Sequence, residues 1–205
     1  LVDADEEEEV LRPEEIEEKN KFELWDLSRP LDGDCEIDYC TIEDKEGKTV
    51  FWHSSAHILG SALEHAYGSH LCIGPPLEEG FYYDTYMGKN VIDEKDYEKI
   101  EKEAQKVITS NHPYSRLTLT KEEALTLFGE NPFKVQLISN KIPDNGKTTA
   151  YKCGDLIDLC LGPHLNSTGV VKAFKITKNS SCYWLAKSDN DSLQRVYGVT
   201  FNSKV

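Results

Sequence analysis

The sequence predicts an α+β fold, with a largely antiparallel sheet packed on helices. Three observations point there. Apolar residues at helical spacing, as at 97, 100, 104, 107 and 108, alternate along the chain with strand-like runs such as "YSRLTLT". The last third, "TTAYKCGDLIDLC", "VVKAFKITK" and "CYWLAKS", reads mainly as strand. Gly and Pro punctuate these segments, and no internal repeat joins them.

The elements follow in order. Residues 1–21 form an acidic lead or linker, in which "RPEEIEEKN" could wind into a short helix. Residues 22–49 show extended alternation broken by a turn at "RPLDGD", with "CEIDYCTIED" expected as a strand. This piece is too short to fold independently. From residue 50 to 205 the chain reads as one domain. "FWHSSAHILGSALEHAYG" is a helix closed by Gly68, since glycine accepts the left-handed backbone that follows a helix end. "IGPPLEEGFYYDTY" gives turns and then an aromatic strand, and "DEKDYEKIEKEAQKVITSN" a one-faced helix. Thr120 and Glu123 form a capping-box pair opening a helix that runs towards Gly129.

Composition excludes several classes. No apolar run approaches the roughly 20 residues that span a bilayer. The acidic N-terminus resembles neither a signal peptide nor a transit peptide. Cysteines 35, 40, 72, 153, 160 and 182 are therefore expected as reduced thiols of a cytoplasmic protein. The net charge of −14 opposes broad nucleic-acid binding, which runs on counterion release by Lys and Arg. That charge is uneven: residues 1–20 carry net −8, leaving −6 over the rest. A tRNA contact on one locally basic face stays open.

Two residue pairs carry the chemistry. His53 and His57 stand one helical turn apart in "FWHSSAHILG", on a face shared with Gly60 and Glu64. Ala56, Leu59, Leu63 and Ala66 form a separate apolar stripe, so packing alone does not require the histidines. Gly60 leaves room beside them for something to approach. In "DLIDLCLGPH", Gly162-Pro163 forces a turn, which places Cys160 and His164 on a strand end and loop. Alternation puts Asp158 on the face of Cys160. Three imidazoles and a thiol suit a tetrahedral zinc site. They suit equally a metal-free hydrolytic centre that holds water near a carbonyl. Spacing does not separate the two.

"HSSAHILGSAL", "IGPPLEEGFYYD", "YKCGDLIDLCLGPHLNSTG" and "YWLAKSDNDSLQRVYGVTF", in that order, resemble the editing domain of the threonyl-tRNA synthetases, the cytoplasmic eukaryotic type more closely than the bacterial. "LWDLSRPLDGD" resembles the closing part of the TGS domain that precedes editing in that family. The resemblance implies hydrolysis of serine wrongly esterified to tRNA(Thr), a need that arises because one methyl discriminates by only about 1–3 kcal/mol. It implies catalytic roles for His53, His57, Lys134, Cys160 and His164, and substrate contacts from Tyr83 and Asp158. Asp158 suits the substrate ammonium by charge. Lys134, His53 and His164 suit the positioning of water and the stabilisation of an oxyanion, with Cys160 not required as nucleophile. Lys187, Gln194 and Arg195 are candidate tRNA contacts. The family pattern requires no metal or other cofactor at this site. ATP, Mg and Zn belong to the class II catalytic core, which this chain does not contain, so it is not expected to charge tRNA. The implied partner is the serine-bearing acceptor end of tRNA(Thr). The parent enzyme is expected to be a homodimer and the fragment a monomer, with no membrane involved. One departure stands out: Ala186 occupies a position where the family usually has glycine.

Two rivals remain. An alanyl-tRNA editing hydrolase shares the histidine and cysteine pairs and commonly holds zinc, and a non-catalytic RNA-binding relative would keep the fold with a decayed site. A purely structural zinc domain is a third. The presence of every site residue named above argues against decay.

Overall fold

The computed structural model describes residues 22–203, so the acidic lead and the helix expected in "RPEEIEEKN" lie outside it. The architecture is α+β, as the sequence predicts. A central helix, α1 (Lys45–Tyr67), carries the first histidine pair. It ends at Gly68, whose φ of 60° lets its N–H reach the Glu64 carbonyl. The helix begins five residues before the expected domain boundary at 49/50, so that boundary falls inside an element.

Two antiparallel sheets flank this helix. The first contains β1 (His70–Leu71) and β2 (Phe81–Tyr86). Its other strands are β6 (Ala173–Tyr183) and β7 (Ser192–Phe201), in the order β1-β2-β7-β6. The second is β3 (Tyr114–Thr120), β4 (Lys147–Cys153) and β5 (Leu156–Leu159), in sequence order. Helix α1 touches β2 and β7 of the first sheet, β5 of the second, and helix α2 (Tyr97–Ser110). It is consequently buried on every side from Phe51 to Leu63 except at His53. The separate apolar stripe expected from the sequence is therefore only part of the buried surface. Small polar residues fill the rest: the Ser55 hydroxyl lies 2.8 Å from the Phe51 carbonyl and 2.6 Å from Thr200 Oγ1 on β7.

Helix α2 packs Ile100, Ala104, Val107 and Ile108 inward, the face its spacing predicts. Helix α3 (Lys121–Leu127) opens with the reciprocal Thr120–Glu123 capping box. Helix α4 (Pro132–Lys141) is not evident from apolar periodicity. Its start is nonetheless well formed, with Asn131 accepting from the Phe133 and Lys134 amides and Pro132 in the first turn. One expectation fails. Residues 35–40 of "CEIDYCTIED" form no strand. Ile37 and Tyr39 point outward, 58% and 76% exposed, and no neighbouring strand completes a ladder with them.

Candidate active site

The site lies where α1 meets the end of β5, the loop after it, and the first turn of α4. Strand β5 supplies Asp158, and the following loop supplies Cys160 and His164, as the strand-end-and-loop reading predicts. Helix α1 supplies His53 and His57. Helix α4 delivers Lys134 because Asn131 fixes its first turn. Strand β2 delivers Tyr83, which is fully buried.

Asp158 is the hub. Its Oδ1 lies 2.6 Å from Lys134 Nζ and also accepts from the Leu159 amide at 2.8 Å. Its Oδ2 accepts from the Tyr83 hydroxyl, with His57 Nε2 at 3.6 Å. Burial opposes ionisation of Asp158, yet Lys134, then His57, and the hydrogen bonds from Lys134 and Tyr83 outweigh it and hold the carboxyl at about 2. Asp158 is thus a carboxylate at neutral pH, 3% exposed, facing an equally buried ammonium.

The three imidazoles form one cluster. The His164 ring centroid lies 4.3 Å from both His53 and His57. Tyr114 stacks on His164 at 4.9 Å, and Tyr151 meets it edge-on at 4.6 Å. Burial lowers all three histidines. His57 then lowers His53, to about 3, while His57 and His53 lower His164. At His57 the Asp158 charge opposes burial without overcoming it. All three rings are neutral at pH 7, so the His57–Asp158 contact at 3.6 Å is not a salt bridge.

Both ring nitrogens of His164 are engaged. Ser54 Oγ accepts from the Leu165 amide at 2.9 Å and lies 3.0 Å from His164 Nδ1. Nε2 sits 3.1 Å from Cys160 Sγ. Burial, and then Asp158, push the Cys160 thiol well up, so it is a neutral thiol beside the imidazole and not a poised thiolate. Ser54 was not legible as a site residue; its signal lies in the long-range contact with the 164–165 loop.

Gly60 has a concrete role: what approaches it is Tyr83. A Cβ at Gly60 would lie 2.8 Å from Tyr83 Cε2, and one at Gly74 would lie 2.2 Å from Cδ2. The two glycines seat the ring so that its hydroxyl reaches Asp158.

His53, His57, Cys160 and His164 each bring one ligand atom to within 4.8 Å of the others, a donor set that fits a metal ion of the zinc class. His57 Nδ1, buried, has no hydrogen-bond partner among the described residues. Of the outlying candidates, Lys187 is exposed. Gln194 is buried, with its Oε1 accepting from the Ile92 amide. Arg195 grips Asp84 with two hydrogen bonds of 2.7 and 2.8 Å and stacks over Tyr82. Those two side chains serve the sheet and the loop beside it.

Residues 148–197 match the family described as the threonyl and alanyl tRNA synthetase second additional domain. That span includes Asp158, Cys160 and His164. The choice between the two branches comes from whole-chain relatives. A probable cytoplasmic threonine–tRNA ligase 1 of Dictyostelium discoideum is 50% identical over 185 residues, which is 90% of this chain and 26% of that protein. The cytoplasmic threonine–tRNA ligase of Caenorhabditis elegans is 49% identical, over 87% of this chain and 24% of its own length. Human cytoplasmic threonine–tRNA ligase 1 is 47% identical over the same shares. The chain matches the editing-domain region of the eukaryotic threonyl-tRNA synthetases. It spans about a quarter of the relatives' length. The whole-chain similarity is thus to the threonyl branch.

Proposed function

We propose that this chain is an aminoacyl-tRNA deacylase that hydrolyses the ester of seryl-tRNA(Thr), in the service of translational fidelity. The observation that carries the reading is the convergence of Lys134, Asp158, Tyr83 and three neutral imidazoles from four separate elements on one buried point. Structural packing needs no such concentration of polar groups, whose burial is costly unless they are paired.

Each group has a chemical task. The seryl ammonium meets Asp158 at Oδ2, on the side away from Lys134. His53 is the least buried of the three imidazoles, so solvent reaches it, and its neutral ring accepts a proton from water. The water oxygen attacks the ester carbonyl. Lys134 and the His164 ring stabilise the charge that develops on the carbonyl oxygen. The carbon–oxygen bond to the ribose then breaks, the ribose oxygen takes the proton, and serine leaves as the free amino acid. Cys160, held as a thiol, lines this route without attacking. Threonine is spared because its additional methyl has no room in a productive pose.

The tRNA(Thr) acceptor end is the proposed partner, and the cytoplasm the proposed compartment, as in the names of the relatives. No described helix is long and apolar enough to cross a membrane. The proposed centre works without metal, its charge supplied by Lys134. The ligand-like set His53, His57, Cys160 and His164 gives the zinc reading its support. In that reading the same four residues would hold the ion, which would supply a polarised water. Hydrolysis of Ser-, Thr- and Ala-tRNA by the purified chain, with metal analysis and a chelator arm, separates the readings. Seryl-selective hydrolysis unaffected by chelator is expected. Stoichiometric zinc with activity lost on chelation would replace this mechanism by the metal one.

A further inference from the structure

Asp26 lies upstream of the domain, in "LWDLSRP", yet it is 7% exposed and hydrogen-bonded into the catalytic loop. Its Oδ1 accepts from the backbone amide of His164 at 2.9 Å, and its Oδ2 accepts from the Tyr151 hydroxyl at 2.7 Å. In sequence these partners stand 138 and 125 residues away. Tyr151 in turn meets the His164 ring edge-on and fills the space over Gly162. Gly162 has a φ of 74°, and a Cβ there would lie 2.1 Å from the Tyr151 hydroxyl oxygen, so the turn and the tyrosine are fitted to one another.

The loop carrying Cys160 and His164 is otherwise irregular backbone. Two side chains fix its amides: Asp26 takes the N–H of His164 and Ser54 takes the N–H of Leu165. Ser54 belongs to the helix that bears the histidine pair. Asp26 belongs to a segment with no regular secondary structure and no other evident reason to be buried here. A carboxylate is an expensive group to bury unless its acceptors are used, and here both oxygens are used on the site loop.

We propose that Asp26 is a positioning residue of the active site: through the His164 amide and Tyr151 it sets the orientation of the His164 imidazole. The segment around Asp26 is then part of the catalytic apparatus. This inference rests on the deacylase reading for its kinetic consequence, but not for its geometric one.

The test uses the full chain and four proteins: wild type, Asp26→Ala, Asp26→Asn and Tyr151→Phe. Asp26→Ala strips both acceptors. Asp26→Asn keeps one acceptor oxygen for the His164 amide, while the Tyr151 hydroxyl can turn and accept from the new amide group. Tyr151→Phe removes one arm and keeps the other. Single-turnover deacylation of Ser-tRNA(Thr) should fall at least tenfold in Asp26→Ala at saturating enzyme, with the half-saturating concentration unchanged. It should recover to within about threefold of wild type in Asp26→Asn and Tyr151→Phe. Amide hydrogen exchange over residues 160–165 should accelerate at least tenfold in Asp26→Ala and much less in the other two. A rate in Asp26→Ala within twofold of wild type overturns the proposal. So does a rate loss that Asp26→Asn fails to rescue and that tracks thermal denaturation, which would mark a purely structural residue. If wild type itself does not hydrolyse the ester, the deacylase reading fails, and the exchange arm alone decides whether Asp26 holds the loop.

Discussion

Lys134 and Asp158 hold one another in a place where neither would be tolerated alone. Both are about 95% buried, and the Asp158 carboxylate depends on Lys134 more than on any other charge. Lys134→Met leaves that carboxylate without its counter-ion, and such a loss typically costs about 3–5 kcal/mol. Urea denaturation should show a drop of that order, with deacylation abolished; a stability within 1 kcal/mol of wild type would mean that the pair is solvated in solution. The imidazoles set a pH signature. The folded chain holds them neutral below their ordinary 6.5, with His53 near 3, whereas the unfolded chain protonates them there. Stability should therefore fall as pH drops from about 6.5, because the unfolded state binds more protons. Catalysis should behave differently: after subtraction of spontaneous hydrolysis, the rate should show no inflection near 6.5. An acid limb centred at 6.5 would place an ordinary, solvated histidine in the base role.

At the scale of elements, two short backbone features are tuned to the site and the sheet. Tyr83 is seated by missing side chains, so Gly74→Ala drives a methyl into its ring. A cost of about 1–3 kcal/mol is expected from such overpacking, and the Tyr83–Asp158 hydrogen bond should be lost with it. Thermal denaturation and deacylation rate should fall together. The turn after β6 shows the opposite case. Leu185 and Ala186 both have positive φ, 53° and 54°, where an L residue is strained. Glycine, usual in the family at this position, removes the clash at some entropic expense, so Ala186→Gly should stabilise by about 0.5–1 kcal/mol. The denaturation midpoint should rise by about 2 °C; a fall would show that the turn is relaxed as it stands.

These elements also show what the sequence could reveal. Helices α1, α2 and α3 were legible because Gly68, the spacing 100, 104, 107 and 108, and the Thr120–Glu123 pair are local signals. His53, His57, Cys160 and His164 were legible as paired spacings, and Asp158 from strand alternation beside Cys160. Lys134 and Tyr83 became visible only through the family resemblance, since a lysine in a weakly periodic helix and a tyrosine in an aromatic strand look ordinary. Ser54 and Asp26 were not visible at all. Their roles come from hydrogen bonds across 110 and 138 residues, which no local pattern encodes. The mistaken strand at 35–40 has the converse cause: alternation was present, but a ladder partner was not.

At the scale of the molecule, the site is a junction. Upstream segment, α1, β2, α4 and the β5 loop each contribute a residue, and no one of them carries a complete reactive set. Two sheets packed on one buried helix hold these contributions in register, so most large changes in core packing should reach the chemistry. The acidic balance of the chain gives little general attraction for a polyanion such as tRNA. The most direct test is single-turnover hydrolysis of Ser-tRNA(Thr) beside Thr-tRNA(Thr), by the chain and by its His53→Ala/His57→Ala variant. The account predicts rapid loss of the seryl ester alone, with the variant reduced to the spontaneous rate. Equal hydrolysis of both esters, or a variant as fast as wild type, would contradict it.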